Sequence, residues 1–591
     1  METPTPMLEL ERRVVAHLEV IYPGSDNLAL SRRLVNTLEL DGVVAPRSQE
    51  NKWDQSDAVV ITYGNSIVRK NERPLQTLRA FLDKHLATSF NSVHILPFFP
   101  YSSDDGFAVI NYLQVNDALG EWQDIEAIAR DFRLMSDLVI NHASSRSQWF
   151  ENFKQGVDPG RDYFVTVEPG TDVSEVVRPR SSPLLSKVET TDGERLVWCT
   201  FGPDQVDLDF ANPQVLWEFV NIMARYLDAG VRILRLDAVA FLWKQAGTAC
   251  IHLQQTHEII KLLRDLAEAK CPDAVIITET NVPVRDNLTY FGNANEAHAI
   301  YNFSLPPLLI HTLLSGDCRY LKTWMMSMPP AQQGTFYLNF IASHDGVGLR
   351  PAEGLLEQAE LEALLETLKQ FGGYISMRSD ASGTPRPYEA NISLWSALAG
   401  TIEHGPDALQ FERFVCAHVI MLALEGIPAI YFHSLFGTPN DTAAVELSDR
   451  YRSINRHVWD ADQLESELGD DGHRTSMVFT EMLRLLQIRR QQPAFHPNAV
   501  QFTMHMGLSI FAFWRQSVDR RQSIFCLSNI TCLPQTIDLA EVNLIDTQQW
   551  TDLITGTPLA SVRGQVVLQP YQTLWLSNMD GGVTRHDKVA T

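Results

Sequence analysis

Eight short apolar runs recur along the chain, and most are followed by a segment with the spacing of an amphipathic helix. Each run has the length of a buried β-strand and is too short for a helix. The runs are Ala58–Tyr63, Ser92–Phe98, Leu134–Ile140, Val231–Leu236, Ala274–Thr278, Ala299–Phe303, Thr335–Ile341 and Ile427–Phe432. A helix is predicted over Thr256–Ala269. Strands and helices in alternation favour an α/β fold, a (β/α)8 TIM barrel. An open doubly wound sheet competes, but no glycine-rich dinucleotide fingerprint follows any run.

Two gaps interrupt this alternation, about 90 residues after the third run and more than 80 after the seventh. Ordinary strand–helix units need far fewer, so both gaps must hold insertions. On a barrel they would build a lid or substrate pocket over the active-site face, although mobile decoration is the competing interpretation. The predicted divisions are an N-terminal helical extension (1–55), the barrel (56–142 and 201–500), insertions at 143–200 and 346–415, and a small all-β domain (501–591).

The composition of the chain limits the kinds of partner and cofactor that it is expected to bind. The net charge of -24 argues against nucleic acid or an anionic membrane. Seven scattered cysteines without metal-ligand spacing predict free thiols, and neither a metal ion nor a cofactor is predicted. The N-terminus lacks the pattern of a signal peptide, and the apolar stretch Phe414–Phe432 is interrupted by His418, Glu425 and Pro428. We therefore expect a cytoplasmic protein with small-molecule substrates. A homodimer is the base-rate expectation for its assembly.

Polar side chains follow five of the predicted strands, at the point where each strand ends. They are Asp104, Asn141-His142, Asp237, Glu279 and His344-Asp345. Because the ends of parallel barrel strands meet at one rim, we expect these groups to lie close together. Paired carboxylates suit glycosidic chemistry, in which one attacks the anomeric carbon and another protonates the departing oxygen.

The stretch Gly230–Ala240 places Arg235 two residues before Asp237. One interpretation is an internal ion pair that only stabilises the core. A carboxylate rim could also bind magnesium. The neighbouring arginine and the histidines on the rim favour the glycosidic interpretation, because a guanidinium lowers the pKa of Asp237 and keeps the nucleophile ionised.

Four segments resemble the signature regions of the α-amylase superfamily. They are Asp137–His142, Gly230–Val239, Ile277–Thr280 and Ala342–Asp345. Further motifs resemble its sucrose phosphorylase branch, namely Val93–Pro100, Arg178-Pro-Arg180, Arg235–Val239 and Ser343–Gly348. The resemblance covers residues 55 to 500. It implies a retaining α-glucoside phosphorylase that forms α-glucose 1-phosphate by double displacement.

The resemblance also implies roles for individual residues. Asp237 would be the nucleophile, Glu279 the general acid/base, and Asp345 the carboxylate that stabilises the transition state. The positions that match glucose-binding residues are Asp104, His142, Phe201, Arg235, His344 and Arg456.

Phosphorolysis requires a cation near the anomeric carbon, because phosphate must attack in preference to water. Arg180 matches a phosphate-binding position of the family, and Arg178 is its near neighbour. The second insertion offers Arg378 and Arg386, which could equally be solvated loop charges.

One departure concerns the acceptor. Sucrose-specific members carry a fructose-contacting histidine where this chain has Asn281, and Arg386-Pro-Tyr-Glu389 also differs from them. Both features resemble enzymes that act on glucosylglycerol and glucosylglycerate. We expect glycerol as the acceptor, because no basic residue beyond the phosphate candidates is assigned to a carboxylate. The alternatives are glucosylglycerate, then sucrose, then a hydrolase or transglucosidase. A non-catalytic binding protein is disfavoured, since all three carboxylates are present.

Overall fold

The computed structural model describes residues 6–40, 51–379, 384–545 and 548–579. Eight parallel strands close into a barrel and follow one another around the ring in sequence order. They are β1 (Val59–Thr62), β2 (Ser92–Ile95), β3 (Arg133–Val139), β4 (Val231–Asp237), β5 (Val275–Thr278), β6 (Ala299–Tyr301), β7 (Phe336–Asn339) and β8 (Ile427–Tyr431). Strand β1 pairs with both β2 and β8, which closes the ring. The predicted TIM barrel is confirmed, and each strand overlaps its predicted run.

The barrel strands are continuously apolar because both of their faces are covered. All four residues of β5 are buried, and so are all five of β8. Inward side chains fill the barrel, and outward ones pack on the surrounding helices. The predicted helix 256–269 is confirmed within Gln254–Lys270. The other helices that follow barrel strands include Pro74–Phe81, Trp122–Asp131, Pro213–Asp228, Val284–Leu288, Leu305–Ser315, Arg319–Ser327, Gln410–Ala423 and Arg474–Arg489.

Two helices precede the barrel, Pro6–Ile21 and Asn27–Thr37. The first lies against helix Gln254–Lys270, with Arg13 Nε 2.9 Å from a carboxylate oxygen of Asp265. Its buried face carries leucine and valine at helical spacing. The described part of the predicted extension therefore docks on the barrel. Residues 1–5 and 41–50 of that extension lie outside the described residues.

The insertions after β3 and β7 are both confirmed as features of the fold. The first contains helix Gln148–Gln155 and a three-stranded antiparallel sheet, and the second contains helix Gln358–Gln370 and another such sheet. The strands of the first sheet are Thr166–Val167, Leu185–Thr190 and Gly193–Trp198, and those of the second are Val347–Gly348, Tyr374–Ser379 and Pro385–Asn391. Because each insertion follows the carboxyl end of a barrel strand, it stands on the rim where active sites of this architecture form.

Short elements complete the rim and the outer layer. The strands are Ile67–Val68, His142–Ser144, Gln205–Asp207, Gly400–Thr401, Gly405–Pro406 and Trp459–Asp460, and the helices are Leu394–Ala397, Thr442–Ser448 and Ala461–Leu468. Among the described residues, no helix combines the length and the apolar character needed to cross a bilayer.

The C-terminal region is a β-structure, as predicted, apart from the one-turn helix Leu539–Val542. Six antiparallel strands lie in the order Val500–Met504, Ile510–Gln516, Ser523–Asn529, Thr573–Ser577, Thr551–Asp552 and Thr557–Pro558. A two-stranded sheet joins Gln535–Asp538 to Gln565–Leu568. Buried Arg515 ties this region to the barrel by donating to the carbonyl of Ala423 at 2.6 Å. Residues 546–547 and 580–591 lie outside the described residues.

Candidate active site

One cavity of about 460 Å³ opens at the carboxyl end of the barrel. It collects nine of the residues that the sequence predicts for the site. They are Asp104, His142, Arg180, Phe201, Asp237, Glu279, Asn281, His344 and Asp345. The side chains come from the ends of β2, β3, β4, β5 and β7 and from the first insertion. Residues that are up to 241 positions apart in sequence therefore face one small space, as Asp104 and Asp345 do.

The floor of the cavity is a buried charge cluster centred on Arg235. Its Nη1 donates to Asp237 Oδ1 at 2.7 Å and also forms an ion pair with Asp137 on the neighbouring strand. Asp137 in turn accepts from His94 Nε2 at 2.7 Å, and the Arg235 contact helps to hold the pKa of Asp137 at about 2 in spite of burial. Strand pairing explains the contact, because Arg235 lies directly opposite Asp137 in the register of β3 and β4. The guanidinium is therefore fixed against the carboxylate of Asp237.

For the two carboxyl groups at the ends of β4 and β5, burial raises the pKa and the charge of Arg235 lowers it. Burial raises the pKa of Glu279, and the charge of Asp345 adds to this effect, while Arg235 opposes it. Burial also raises the pKa of Asp237 above its ordinary value, so the depression expected from Arg235 is present but outweighed. Because two adjacent carboxylates repel each other, the pair retains one proton more readily than either group alone. Arg235 contacts Asp237 directly and opposes the rise of its pKa.

Asp345 has the opposite electrostatic environment. Burial alone would raise its pKa, but Arg452 at 2.5 Å, together with His344, holds that pKa well below the ordinary range. Arg452 also binds Glu389 through two nitrogens, with Nε 3.0 Å from Oε1 and Nη2 2.8 Å from Oε2. This bidentate pair fixes the guanidinium, which also lies 3.9 Å from Asp104. Asp345 therefore stays a carboxylate next to a rigid cation.

One wall of the cavity is aromatic and neutral. The ring of Phe107 stacks on His344 with centroids 5.1 Å apart, and Phe201 lies 5.3 Å from His142. Gln205 Nε2 lies 3.1 Å from His142 Nε2. Burial lowers the pKa of His142 and leaves the ring uncharged. This wall offers an apolar ring face and hydrogen-bonding groups, which together suit a sugar.

Two predicted arginines do not line the cavity but contact residues that do. Arg235 lies beneath the floor and contacts Asp237, and Arg456 contacts the loop after β7. Arg456 Nε donates to the backbone carbonyl of His344 at 2.9 Å, and Nη1 is ion-paired with Asp105. Its distance to Asp345 is 3.8 Å. Arg456 therefore positions the residues around Asp345.

The predicted phosphate residues separate in the structure. Arg180 lines the cavity, with its guanidinium 5.1 Å from the ring centroid of Tyr388 and 3.8 Å from Glu389. Arg178 does not line the cavity, and its Nη2 is buried without a hydrogen-bond partner. The residue between them is a proline, and only Arg180 is directed into the site. Arg178 lies outside the lining, and its role in phosphate binding stays a prediction.

The candidate arginines of the second insertion also lie outside the cavity lining. Arg378 binds Glu353 at 2.8 Å, and exposed Arg386 stands opposite it in the antiparallel pair of strands. Across the part of the chain that the structure describes, no group of three or more His, Cys, Asp or Glu residues is arranged to hold a metal ion.

Five residues of the site were not predicted from sequence. They are Phe107, Gln205, Tyr388, Glu389 and Arg452. Phe107 lies three residues after Asp104, and Arg452 lies one helical turn before Arg456, so proximity in sequence to a predicted residue was the available signal. Tyr388 and Glu389 come from the second insertion, which the sequence predicts to lie over the active-site face, but the sequence assigns no role to either residue.

Comparison with known proteins agrees with this geometry. The alpha amylase catalytic domain profile matches residues 84–346. A glucosylglycerate phosphorylase from Allomeiothermus silvanus is 42% identical, over 98% of this chain and 100% of the relative. The chain belongs to the α-amylase superfamily, in its sucrose phosphorylase-like branch. As a phosphorylase of this family, it is a glycosyl-transferring enzyme.

Two further proteins bear on this assignment. A glucosylglycerate phosphorylase from Spirochaeta thermophila is 43% identical, over 89% of this chain and 90% of the relative. The crystal structure of sucrose 6F-phosphate phosphorylase from Thermoanaerobacter thermosaccharolyticum superposes with a TM-score of 0.69 at 25% identity, covering 80% of this chain and 94% of that one. This chain thus shares its fold, over 80% of its length, with a phosphorylase of known structure.

The comparisons do not support glycerol as the expected acceptor. A glucosylglycerol phosphorylase from Marinobacter adhaerens is only 28% identical, over 75% of this chain and 89% of the relative. The glucosylglycerate phosphorylases match at 42% and 43%. These identities favour glycerate, the first alternative to glycerol, as the acceptor.

Proposed function

We propose that the enzyme is a retaining glucosylglycerate phosphorylase that converts 2-O-α-glucosylglycerate and phosphate to α-glucose 1-phosphate and glycerate, reversibly. The full-length similarity to glucosylglycerate phosphorylases carries the choice of acceptor. The cavity supports the chemistry, because four carboxylates and two arginines line the same space.

In the first step the carboxylate of Asp237 attacks the anomeric carbon of the glucosyl unit. A C–O bond to Asp237 forms as the bond to the glycerate oxygen breaks, and Glu279 donates its proton to that oxygen. Arg235 supports this assignment, because it contacts Asp237 at 2.7 Å and favours its ionised form against the effect of burial. The buried Glu279, whose pKa is raised, is suited to hold the proton until it is needed.

In the second step a phosphate oxygen attacks the same carbon from the face that glycerate left, and the bond to Asp237 breaks. Glu279 takes the proton of the attacking phosphate hydroxyl and so regains the proton that it gave up in the first step. Two inversions give net retention, so the product is the α-anomer. Arg180 would neutralise the incoming phosphate, since it is the predicted phosphate cation that lines the cavity. Asp345 would stabilise the positive charge that develops on the ring, because Arg452 and His344 keep it ionised.

The remaining cavity residues would hold the glucosyl unit. Asp104 and His344 supply polar contacts, and Phe201 supplies an apolar face beside His142. Arg456 would act on this unit through the loop that carries His344. We extend the proposal to a cytoplasmic location, in keeping with the small phosphorylated product.

An acceptor panel tests the proposed function. With α-glucose 1-phosphate as donor, we expect kcat/KM to be highest for glycerate, lower for glycerol and lowest for fructose. Initial rates of phosphate release measure all three. A higher kcat/KM for glycerol than for glycerate would indicate a glucosylglycerol phosphorylase. A preference for fructose would contradict both the glucosylglycerate and the glucosylglycerol assignments.

A further inference from the structure

Arg350, in the second insertion, is a partly buried cation that has no hydrogen-bond or ion-pair partner among the described residues. It begins the short helical turn Arg350–Ala352, and its Nε is buried with no hydrogen-bond partner. Within the described ranges, no residue forms an ion pair or a hydrogen bond with its guanidinium. A buried charge is costly unless a group of opposite charge neutralises it. Among the described residues, no anion neutralises this guanidinium by direct contact.

A second arginine adds to the local positive charge. Burial lowers the pKa of Arg350, and the neighbouring charge of Arg378 lowers it further. Arg378 is held at 2.8 Å from Glu353, but its Nε is also buried without a partner. Glu353 is thus already engaged, and the exposed Asp286 is beyond ion-pair distance from Arg350. Two N–H donors on two guanidinium groups are left without an acceptor.

The backbone places Arg350 beside the acceptor end of the cavity. The preceding residue, Leu349, donates its backbone N–H to the carbonyl of Tyr388 at 3.0 Å. Gly348 lies so close to Asn281 that a Cβ on it would approach Asn281 Nδ2 to 2.8 Å. Asn281 and Tyr388 both line the cavity. The segment that carries Arg350 therefore packs directly on two cavity residues.

Arg180, the predicted phosphate ligand, is also close to Tyr388. Arg180 lies over the ring of Tyr388 and near Glu389, inside the cavity itself. The geometry thus provides two separate positive regions around Tyr388, one in the cavity and one in the second insertion. The reaction brings two anionic groups to the enzyme, phosphate and the carboxylate of glycerate.

We propose that Arg350 and Arg378 form the subsite that binds the carboxylate of the acceptor. The inference rests on the proposed glucosylglycerate activity and assigns its specificity to this pair. A carboxylate has two oxygens and can accept from the terminal guanidinium nitrogens of Arg350, which have no hydrogen-bond partner among the described residues, while the positive charge of Arg378 adds to the attraction. Glycerol has no charge to offer there, so it would leave the buried cation unneutralised.

Arg350→Gln tests the assignment. We expect kcat/KM for glycerate to fall about 10- to 100-fold, which corresponds to the loss of one hydrogen bond to a charged group. The values for glycerol and for phosphate in the reverse direction should change by less than about twofold. Equal losses for glycerate and glycerol would mean a structural role, and a raised KM for phosphate would make the pair a phosphate site. Either result overturns the proposal.

A binding readout separates this proposal from the activity on which it rests. Glycerate should raise the Tm of the wild-type enzyme, and this shift should vanish in Arg350→Gln and shrink in Arg378→Gln. Arg285→Gln is the matched control, because Arg285 is an exposed arginine on the nearby helix Val284–Leu288. If glycerate neither raised the Tm of the wild-type enzyme nor served as its acceptor, the proposed function itself would be refuted. Glycerate use that survives both substitutions would refute only the subsite.

Discussion

The active-site rim has two parts that are constructed differently. The carboxylate part, formed by Asp237, Glu279 and Asp345, follows barrel strands. Asp237 and Asp345 are ion-paired with arginines, and Glu279 accepts from the backbone N–H of Ala238. The arginine part, formed by Arg180, Arg350 and Arg378, stands on the two insertions and retains unpartnered donors at Arg350 and Arg378. Barrel strands fix geometry tightly, whereas insertions can differ among enzymes that share a barrel. Under the proposed function, the strands would perform the glucosyl transfer and the insertions would select the anions.

The largest effect is expected from the carboxylate part. Asp237→Asn removes the nucleophile and should lower kcat by roughly 10⁴-fold or more. The amide still accepts from Arg235, so the fold and the Tm should be retained. Residual activity within tenfold of wild type, in a correctly folded variant, would exclude Asp237 as the nucleophile.

Glu279→Gln should cost less, about 10²- to 10⁴-fold, and the loss should depend on the leaving group. A donor with a good leaving group, such as α-glucosyl fluoride, needs little protonation and should lose least. In the wild type, the protonated form of Glu279 is the active one and its pKa is raised by burial. Activity with glucosylglycerate should therefore persist at neutral pH and fall as the pH rises through that pKa. The alkaline limb of the profile should be absent in Glu279→Gln.

The same division explains which features could be predicted from sequence. All eight strands and the carboxylates after them have local signals, because a buried run that ends in a charged residue is visible in the chain. Arg452 and Glu389 have no such signal. Their pairing joins a residue after β8 to a strand of the second insertion, and 63 positions separate them. Arg178 and Arg180 look equivalent in sequence, and only the fold directs one of them into the cavity.

Substitutions in the arginine part should change how the glucosyl enzyme divides between phosphate and water, and they should not abolish turnover. Arg180→Gln should lower kcat/KM for phosphate by about 10- to 100-fold. Water should then capture more of the glucosyl enzyme, so the ratio of glucose 1-phosphate to free glucose should fall. Both products can be quantified in the same reaction. An unchanged ratio would show that Arg180 does not contact phosphate.

The smallest effect is expected where the two parts meet, at the contact of Arg452 with Glu389. Glu389→Gln keeps one acceptor for Arg452 but removes the charge. We expect a loss of about tenfold in kcat, since Asp345 remains paired with Arg452 while the guanidinium is held less firmly. The KM for phosphate should change little. A dominant effect on phosphate would instead assign Glu389 to the arginine part.

The configuration of the first product tests the central claim, a covalent double displacement at Asp237 completed by phosphate. Proton NMR of glucosylglycerate incubated with phosphate would identify the anomer before any equilibration. The proposed mechanism predicts α-glucose 1-phosphate as the first product, formed in equal amount with glycerate. The β-anomer, or free glucose at a rate independent of phosphate, would contradict it.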